Sequence, residues 1–531
     1  MNALRLPPSS HALALGVLLA LILLELAGIL VATGGHLIYS LDDPYIHLEL
    51  ARNIASGHYG LNPGEPAAPS SSIIWPLLLA PFARLPFASV TPLLINMAAA
   101  VAATLVIDSL LREAIGPERV ARHRLLVALL ATLLILATNT VGLIFTGMEH
   151  SLQALLALLA VRGLVTVIAG RPLPWWLVPV LILGPLVRYE NVAISGPALL
   201  LLFARGHRLP ALLGGSALAL AIGAFSLFLH SLGLDMLPAS VQAKTNGMHT
   251  LQLLPSLSIR SGLLTTLSTP EGMLLLTALG LLVGRLPRLA PRDPDRSLAA
   301  ALGLAVALHL IGGRIGWFWR YELYIVAAAI MGALYLYRAA IGRLLDTRPL
   351  WWSTALLSLC LLPVAILYLP SLIRTPASAA DIYRQQYQMH RFLTAYYPRP
   401  AAVNDIGWTS YRNDSYVLDL YGLASPEVLR LRAERHDGAW MESLAVRHQV
   451  ELVMIYDYWF HTLPASWQLL AQLASTNDGG TLGGQHVSFY ATSPEAAVSI
   501  RAALERFAPT LPPGSTLEFA PATAGSSVNL P

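Results

Sequence analysis

The chain has one cysteine, Cys360, and one lysine, Lys244, in 531 residues. A single thiol excludes an intramolecular disulfide and any cysteine-built metal cluster. Charge is scarce as well: Asp, Glu, Lys and Arg make up 12% of the chain and hydrophobic residues 55%. That balance excludes an ordinary soluble enzyme and fits a chain that crosses a membrane many times. Neither a phosphate-binding glycine loop nor a dinucleotide fingerprint is present, and there is no internal repeat or low-complexity tract. The net charge of +4 has a topological source, because cytoplasmic loops collect Arg and Lys, so no nucleic acid partner is implied.

What is present is a series of apolar runs bounded by charge and by Pro and Gly clusters. They predict about eleven spans, near 12–33, 90–111, 125–144, 149–168, 174–188, 191–205, 210–230, 270–284, 298–313, 321–340 and 350–369. The first is too long for a signal-peptide core and lacks a small-residue cleavage site, so it is read as a retained span. With the N-terminus in the cytoplasm, basic residues favour the inner loops by about two to one, and an odd span count delivers the C-terminus to the outer side. The expected fold is therefore a polytopic α-helical membrane protein with a soluble α/β domain outside. Its boundaries are 1–370 for the membrane domain, with an outer loop over 34–89, then 371–510 for the α/β domain and 511–531 for a poorly ordered tail. In the outer loop, "SSIIWPLLLAPFARLPF" is too short and too broken by proline to span, and reads as a helix on the membrane surface. In the α/β domain a helix is predicted over "DIYRQQYQMHRFLTAYY" and strands near "AAVNDI", "YVLDL", "VELVMIYDYWF" and "HVSFYAT".

Charge at the outer ends of spans exceeds what topology requires and is the informative part. It falls in "LDDPYIHLELARN" (Asp42, Asp43, His47, Arg52), "GMEHSL" (Glu149, His150), "VRYEN" (Arg188, Glu190) and "GWFWRYE" (Arg320, Tyr321), with Arg314 just before the last. Each has a plainer reading: interfacial aromatic anchors, a surface pair of Arg188 with Glu190, a helix-start glutamate. Lys244, alone among basic residues that are otherwise arginine, suits a phosphate held by a compact point charge. Asp43 before Pro44 reads as a helix cap, which leaves Asp42 without a capping role and open to act as a general base. Glu25 stands in mid-span, as does His309, and either could serve a transport path. A lipid-linked phosphate as leaving group, with its tail among the spans and its headgroup at Arg and Lys, would need one base and no nucleotide.

The order of "LDDPYIHLELARNIASGHYGLNPGEPAAPSSSIIWPLLLA", "TGMEHSL", "LVRYEN", "LPASVQAK", "WRYE" and "VNDIGWTSYRNDSYVLDLYGL" resembles the polytopic glycosyltransferases of the GT-C superfamily. The likeness is nearest to the bacterial branch of terminal arabinofuranosyltransferases. Pro44 after the aspartates and "LVRYEN" depart from that branch's usual residues. The resemblance implies an inverting transfer of a sugar, arabinofuranose in that branch, from a polyprenyl-phosphate donor to a glycan or glycolipid of the cell envelope. It makes Asp42 and Asp43 catalytic, and places the protein in the bacterial inner membrane with its C-terminal domain in the periplasm. On this reading Lys244, Arg188, Arg320 and Arg314 hold the donor phosphate, while His47, Arg52, Glu149, His150, Glu190 and Tyr321 line the acceptor side. No cofactor is expected; the aspartate pair with His47 could take a divalent cation, but one loop offers few ligands for it. The readings from other classes are a transporter or flippase for lipid-linked sugars, and a non-catalytic scaffold for envelope assembly.

Overall fold

The structure is a computed structural model that describes residues 10–246, 266, 268–435 and 437–521; for residue 10 and residues 243–246 only the backbone is described. The chain forms two compact units that are interleaved in sequence. One comprises residues up to Val31, Ser71–Ser231 and Lys244–Pro376; the other comprises Ala32–Ser70, Leu232–Ala243 and Ala377 onward. The division places residues 32–70 of the first outer loop with the C-terminal residues.

The first unit is helical. Among the described residues six helices are long and apolar enough to cross a membrane: His11–Ala32, Ala88–Ile115, His150–Ile168, Arg208–Ser231, Pro294–Gly312 and the helical stretch that begins at Leu350. Leu323–Leu336 and Arg338–Thr347 qualify only as a pair, bent by 58°. The other expected spans differ from the sequence reading for local reasons. The 125–144 run breaks at Asn139, which takes a left-handed backbone (φ 45°) and donates its side-chain amide to Ser371 Oγ at 2.8 Å. Leu177–Val187 is 11 residues and Pro270–Val283 is 14, both short of the ~20 that a straight span needs. His150–Ile168 packs between Thr91–Ile115 and Leu323–Leu336. Small residues permit the close approaches: a Cβ on Gly332 would overlap Leu302, and one on Gly163 would overlap Leu177. Arg208–Ser231 turns most of its leucines outward, with Leu220 72% exposed, as a helix facing lipid does, while Leu218 and Leu229 are buried.

The second unit is built on a six-stranded mixed sheet: β1 (Ala401–Val403), β2 (Val417–Asp419), β3 (Leu452–Ile455), β4 (Gln468–Ser475), β5 (His486–Ala491) and β6 (Ser515–Phe519), in the order β2-β1-β3-β5-β4-β6. β1 pairs in parallel with β2 and β3, and the remaining pairs are antiparallel. Alternation along β3 sends Leu452 and Met454 to one face and Val453 and Ile455 to the other. Both faces are covered, which is why the strand reads as an unbroken apolar run.

Part of that cover comes from the first outer loop. The helix Asp43–Ile54 and the residues after it put Ile46, Leu50, Leu61 and Ala67 into the core with Phe392, Met454, Phe489 and Phe507. Burying each of the larger ones contributes about 1.5–3 kcal/mol. Asn62 serves as a strand substitute: its Nδ2 donates to Val417 O at 2.9 Å and its Oδ1 accepts from Val417 N at 3.0 Å, closing the edge of β2. Glu65, three residues on, accepts from Tyr416 Oη at 2.8 Å.

The four predicted strands are present, and two more were not predicted. "QLLAQLAS" has the residues of a helix former yet pairs as β4, because the edge of β5 offers it a full ladder. The stretch assigned to a tail contains β6, paired with β4, and residues 522–531 lie outside the described region. Replacing Asn62 by Ala removes two buried backbone hydrogen bonds, so the intact protein is expected to lose about 2 kcal/mol of stability. A urea midpoint that does not move would show that the loop is not fastened there.

Candidate functional site

In the second unit, β1 ends in Asn404-Asp405-Ile406 and the chain turns into the short helix Gly407–Ser410. Asp42 meets the start of this helix. Its Oδ2 accepts from Gly407 N at 2.7 Å and its Oδ1 from Trp408 N at 2.8 Å, and the residue is 6% exposed. The expectation that Asp42 has no capping role is therefore corrected: it caps a helix 365 positions away. The partner expectation is corrected too, since Asp43 is the first residue of Asp43–Ile54 and not its cap, and Pro44 stands second. Gly407 is required at this contact, because a Cβ there would overlap both the carbonyl and the carboxylate of Asp42.

A second carboxyl, Asp405, is hydrogen-bonded to Asp42 and also accepts from Gln386 Nε2 at 2.9 Å. Burial, and then the charge of Asp405, push the Asp42 carboxyl well above the usual carboxylate range, against the pull of the Trp408 amide. Burial likewise raises Asp405, against its hydrogen bonds from Gln386 and Asp42. Two carboxyls in one contact titrate as a pair. Asp43, half-buried, adds negative charge to both. Elsewhere in the motif, Glu49 binds Arg52 at 2.9 Å and accepts from Arg412 N at 2.9 Å, while Arg52 also reaches Asp414 at 3.7 Å. His47 is buried. Arg52 and His47 thus serve the packing of the loop helix in this structure, with Arg52 still a third exposed.

Around Asp42 lies a set of rings. Tyr45 stacks on Trp408 at 3.9 Å between centroids, and Tyr387 meets Trp408 edge-on at 4.8 Å. Gln386 Oε1, Asn404 Nδ2, Trp408 Nε1 and Tyr411 Oη are buried and have no hydrogen-bond partner among the described residues. Of these groups the sequence singled out only the motif "VNDIGWTSYRND". The roles of Asp405 and Gln386 were missed; the signal that could have found them is Asn-Asp-x-Gly directly after a predicted strand.

In the helical unit the expected residues form a buried ion network. Arg188, 1% exposed at the end of Leu177–Val187, donates from Nη1 to Glu149 Oε1 at 2.7 Å and from Nη2 to Glu190 Oε1 at 2.9 Å. Its guanidinium lies 5.5 Å from the ring centre of Tyr321, and that of Arg320 lies 5.0 Å from the same ring. His150 meets Tyr321 at 6.0 Å. The structure thus brings Arg188, Glu149, Glu190, Tyr321, Arg320 and His150 together. It corrects one reading of Arg188: the pair with Glu190 is no surface pair, because the guanidinium is buried and bound to two carboxylates. His309 binds Tyr324 Oη at 3.0 Å through Nδ1, and Tyr324 donates to Glu190 O at 2.8 Å, which gives this mid-helix histidine a structural partner. Glu25 is buried with its Oε2 unpartnered among the described residues. Arg314 follows the helix Pro294–Gly312, and Lys244 has a described backbone only, its side chain lying outside the described residues. Among the described residues no group of three or more His, Cys, Asp or Glu is arranged to hold a metal ion.

A folded carboxyl raised above its unfolded value adds stability below that value, and the contribution is lost as pH rises through the folded one. The Asp42–Asp405 pair should therefore make the intact protein less stable toward alkaline pH. Asp405→Asn keeps the hydrogen bonds and removes a charge, so its melting temperature should exceed that of the parent at pH 8, with the gain shrinking toward pH 4. Equal shifts at both pH values would refute the raised pair.

Comparison with known proteins adds the following. Residues 380–490 match a family described as "Domain of unknown function (DUF8728)". No curated protein matches the chain. Among solved structures, the Archaeoglobus fulgidus oligosaccharyltransferase in its apo form is 11% identical, with a TM-score of 0.43 over 92% of this chain and 78% of that one. The same organism's oligosaccharyltransferase AglB, in complex with an inhibitory peptide and a dolichol-phosphate, gives 12%, 0.42, 96% and 76%. A form tethered by a disulfide to an acceptor peptide containing the NVT sequon gives 12%, 0.44, 96% and 76%. At these scores the likeness carries no weight for fold or chemistry.

Proposed function

We propose that the protein is an inverting glycosyltransferase of the GT-C type, in which Asp43 is the general base and Asp42 its positioning residue. The donor is a polyprenyl-phosphate sugar, the acceptor a hydroxyl of a cell-envelope glycan or glycolipid, and the site of action the outer face of the bacterial inner membrane. The observation that carries the reading is the division of labour in the aspartate pair. Asp42, 6% exposed, gives its two oxygens to two amides, whereas Asp43, in the first turn of the helix beside it, is half-buried and more accessible.

In the reaction the acceptor hydroxyl gives its proton to the Asp43 carboxylate as its oxygen attacks the anomeric carbon. The anomeric C–O bond to phosphate breaks, and the phosphate leaves with the electron pair. Lys244, Arg320 and Arg314 are the cations assigned to the departing phosphate. The resemblance makes arabinofuranose the first sugar to test.

Asp43→Asn should abolish transfer from a polyprenyl-phosphate sugar while the protein still folds, whereas Asp42→Asn should lower both transfer and melting temperature, because the amide nitrogen that replaces one carboxylate oxygen would face a backbone N–H it cannot accept from. Full turnover by the Asp43 variant would sink the assignment. Lys244→Ala should raise the apparent donor KM about tenfold or more, the loss of one charge-assisted contact of ~1.5–3 kcal/mol; an unchanged KM would remove Lys244 from the site.

A further inference from the structure

The helix that ends the run from Leu350 continues through Gln386–Arg391, and the residues Tyr383, Tyr387 and His390 recur on it at the spacing of one helix face. None of them takes part in the aspartate contact. Tyr383 and Tyr387 stack at 5.4 Å and 21°, and Tyr387 and His390 at 6.1 Å and 29°. From the outer loop, His36 is exposed and lies against both tyrosines, at 5.3 Å from Tyr383 and 5.6 Å from Tyr387. All three helix residues are half-buried, so the rings form a surface and not a core.

Two observations give this surface a ligand. Trp408, 8% exposed, stands edge-on to Tyr387 and 5.2 Å from His390, and its Nε1–H is unpartnered among the described residues. His390 Nδ1 is also buried and unpartnered there. A buried ring N–H is strongly driven to find an acceptor. Stacked rings in reach of water, with ring nitrogens lacking partners at their inner edge, match a ligand that has an apolar face and a rim of hydroxyls. A sugar ring is such a ligand; an acyl chain would leave the nitrogens unpaired, and a phosphate would find no arginine or lysine in the set.

We infer that His36, Tyr383, Tyr387, His390 and Trp408 form a binding platform for one sugar ring of a neutral oligosaccharide. The ring lies on the tyrosine face and its hydroxyls pair with Trp408 Nε1 and His390 Nδ1. If the transferase reading holds, the bound saccharide is the acceptor, although binding itself requires neither donor nor turnover.

The test is direct binding to the intact, donor-free protein in detergent, followed by tryptophan fluorescence and saturation-transfer NMR. The probes are soluble oligosaccharides of pentoses and of hexoses, two to six units long. At least one should bind saturably. Tyr387→Ala and His36→Ala should each weaken it about five- to tenfold, as loss of one ring contact does, while Tyr387→Phe should bind as the parent does. Because His36 is exposed, its variant stays informative should Tyr387→Ala fail to fold. No binding by any probe, or binding unchanged in folded Tyr387→Ala and His36→Ala, overturns the platform. Asp43→Asn separates the two proposals: transfer lost with binding kept supports both, and binding by a protein that never transfers leaves the platform standing and the reaction refuted.

Discussion

The contact between the Asp42 carboxylate and the amides of Gly407 and Trp408 is the constraint on which the second unit depends. It joins two segments 365 positions apart, and it does so at the end of the central parallel strand. In open sheets the carboxyl ends of parallel strands, followed by a helix start, are where anionic ligands settle. Here the chain's own carboxylate occupies that place. The rest of the loop follows from it: Glu49 takes the Arg412 amide, Asn62 closes the edge of β2, and Ile46 and Leu50 complete the core. Loop closure over so many residues is entropically costly, and several contacts together, none sufficient alone, offset it.

The helical unit meets a different constraint. Arg188 is 1% exposed among apolar helices, and an unpaired guanidinium there would cost several kcal/mol. Two carboxylates and the face of Tyr321 satisfy it, so the network is a condition of burial before it is a candidate for chemistry.

Much of this was legible in the sequence, and what was not has physical reasons. Apolar runs located the helices because burial in lipid demands them, but where a run was broken by Asn139 or shortened by proline the length of the helix depended on neighbours. The strands Ala401–Val403 and Leu452–Ile455 were readable from their apolar composition; Gln468–Ser475 was not, because pairing overrode its helical preference. The site residues were found as motifs, and Arg188, Glu149, Glu190 and Tyr321 do converge. Their partners were hidden. Nothing local links Glu149 to a residue 39 positions on, or Asp42 to a glycine 365 positions on, since such contacts are decided by packing.

The aspartate pair shows how far adjacency can mislead. Two neighbours at the start of a helix point about 100° apart, so their carboxyls meet different partners. Once Asp42 turns into the sheet edge to meet two amides, Asp43 must turn elsewhere, and the same rigid backbone that buries the first aspartate sets the direction of the second. A sequence reader sees Asp-Asp-Pro and assigns the cap to the residue beside proline. The fold assigns it to the other, and to a different helix, because a buried carboxylate without donors is the costlier arrangement. Asp43, half-buried, thus takes its direction from a contact in which it takes no part.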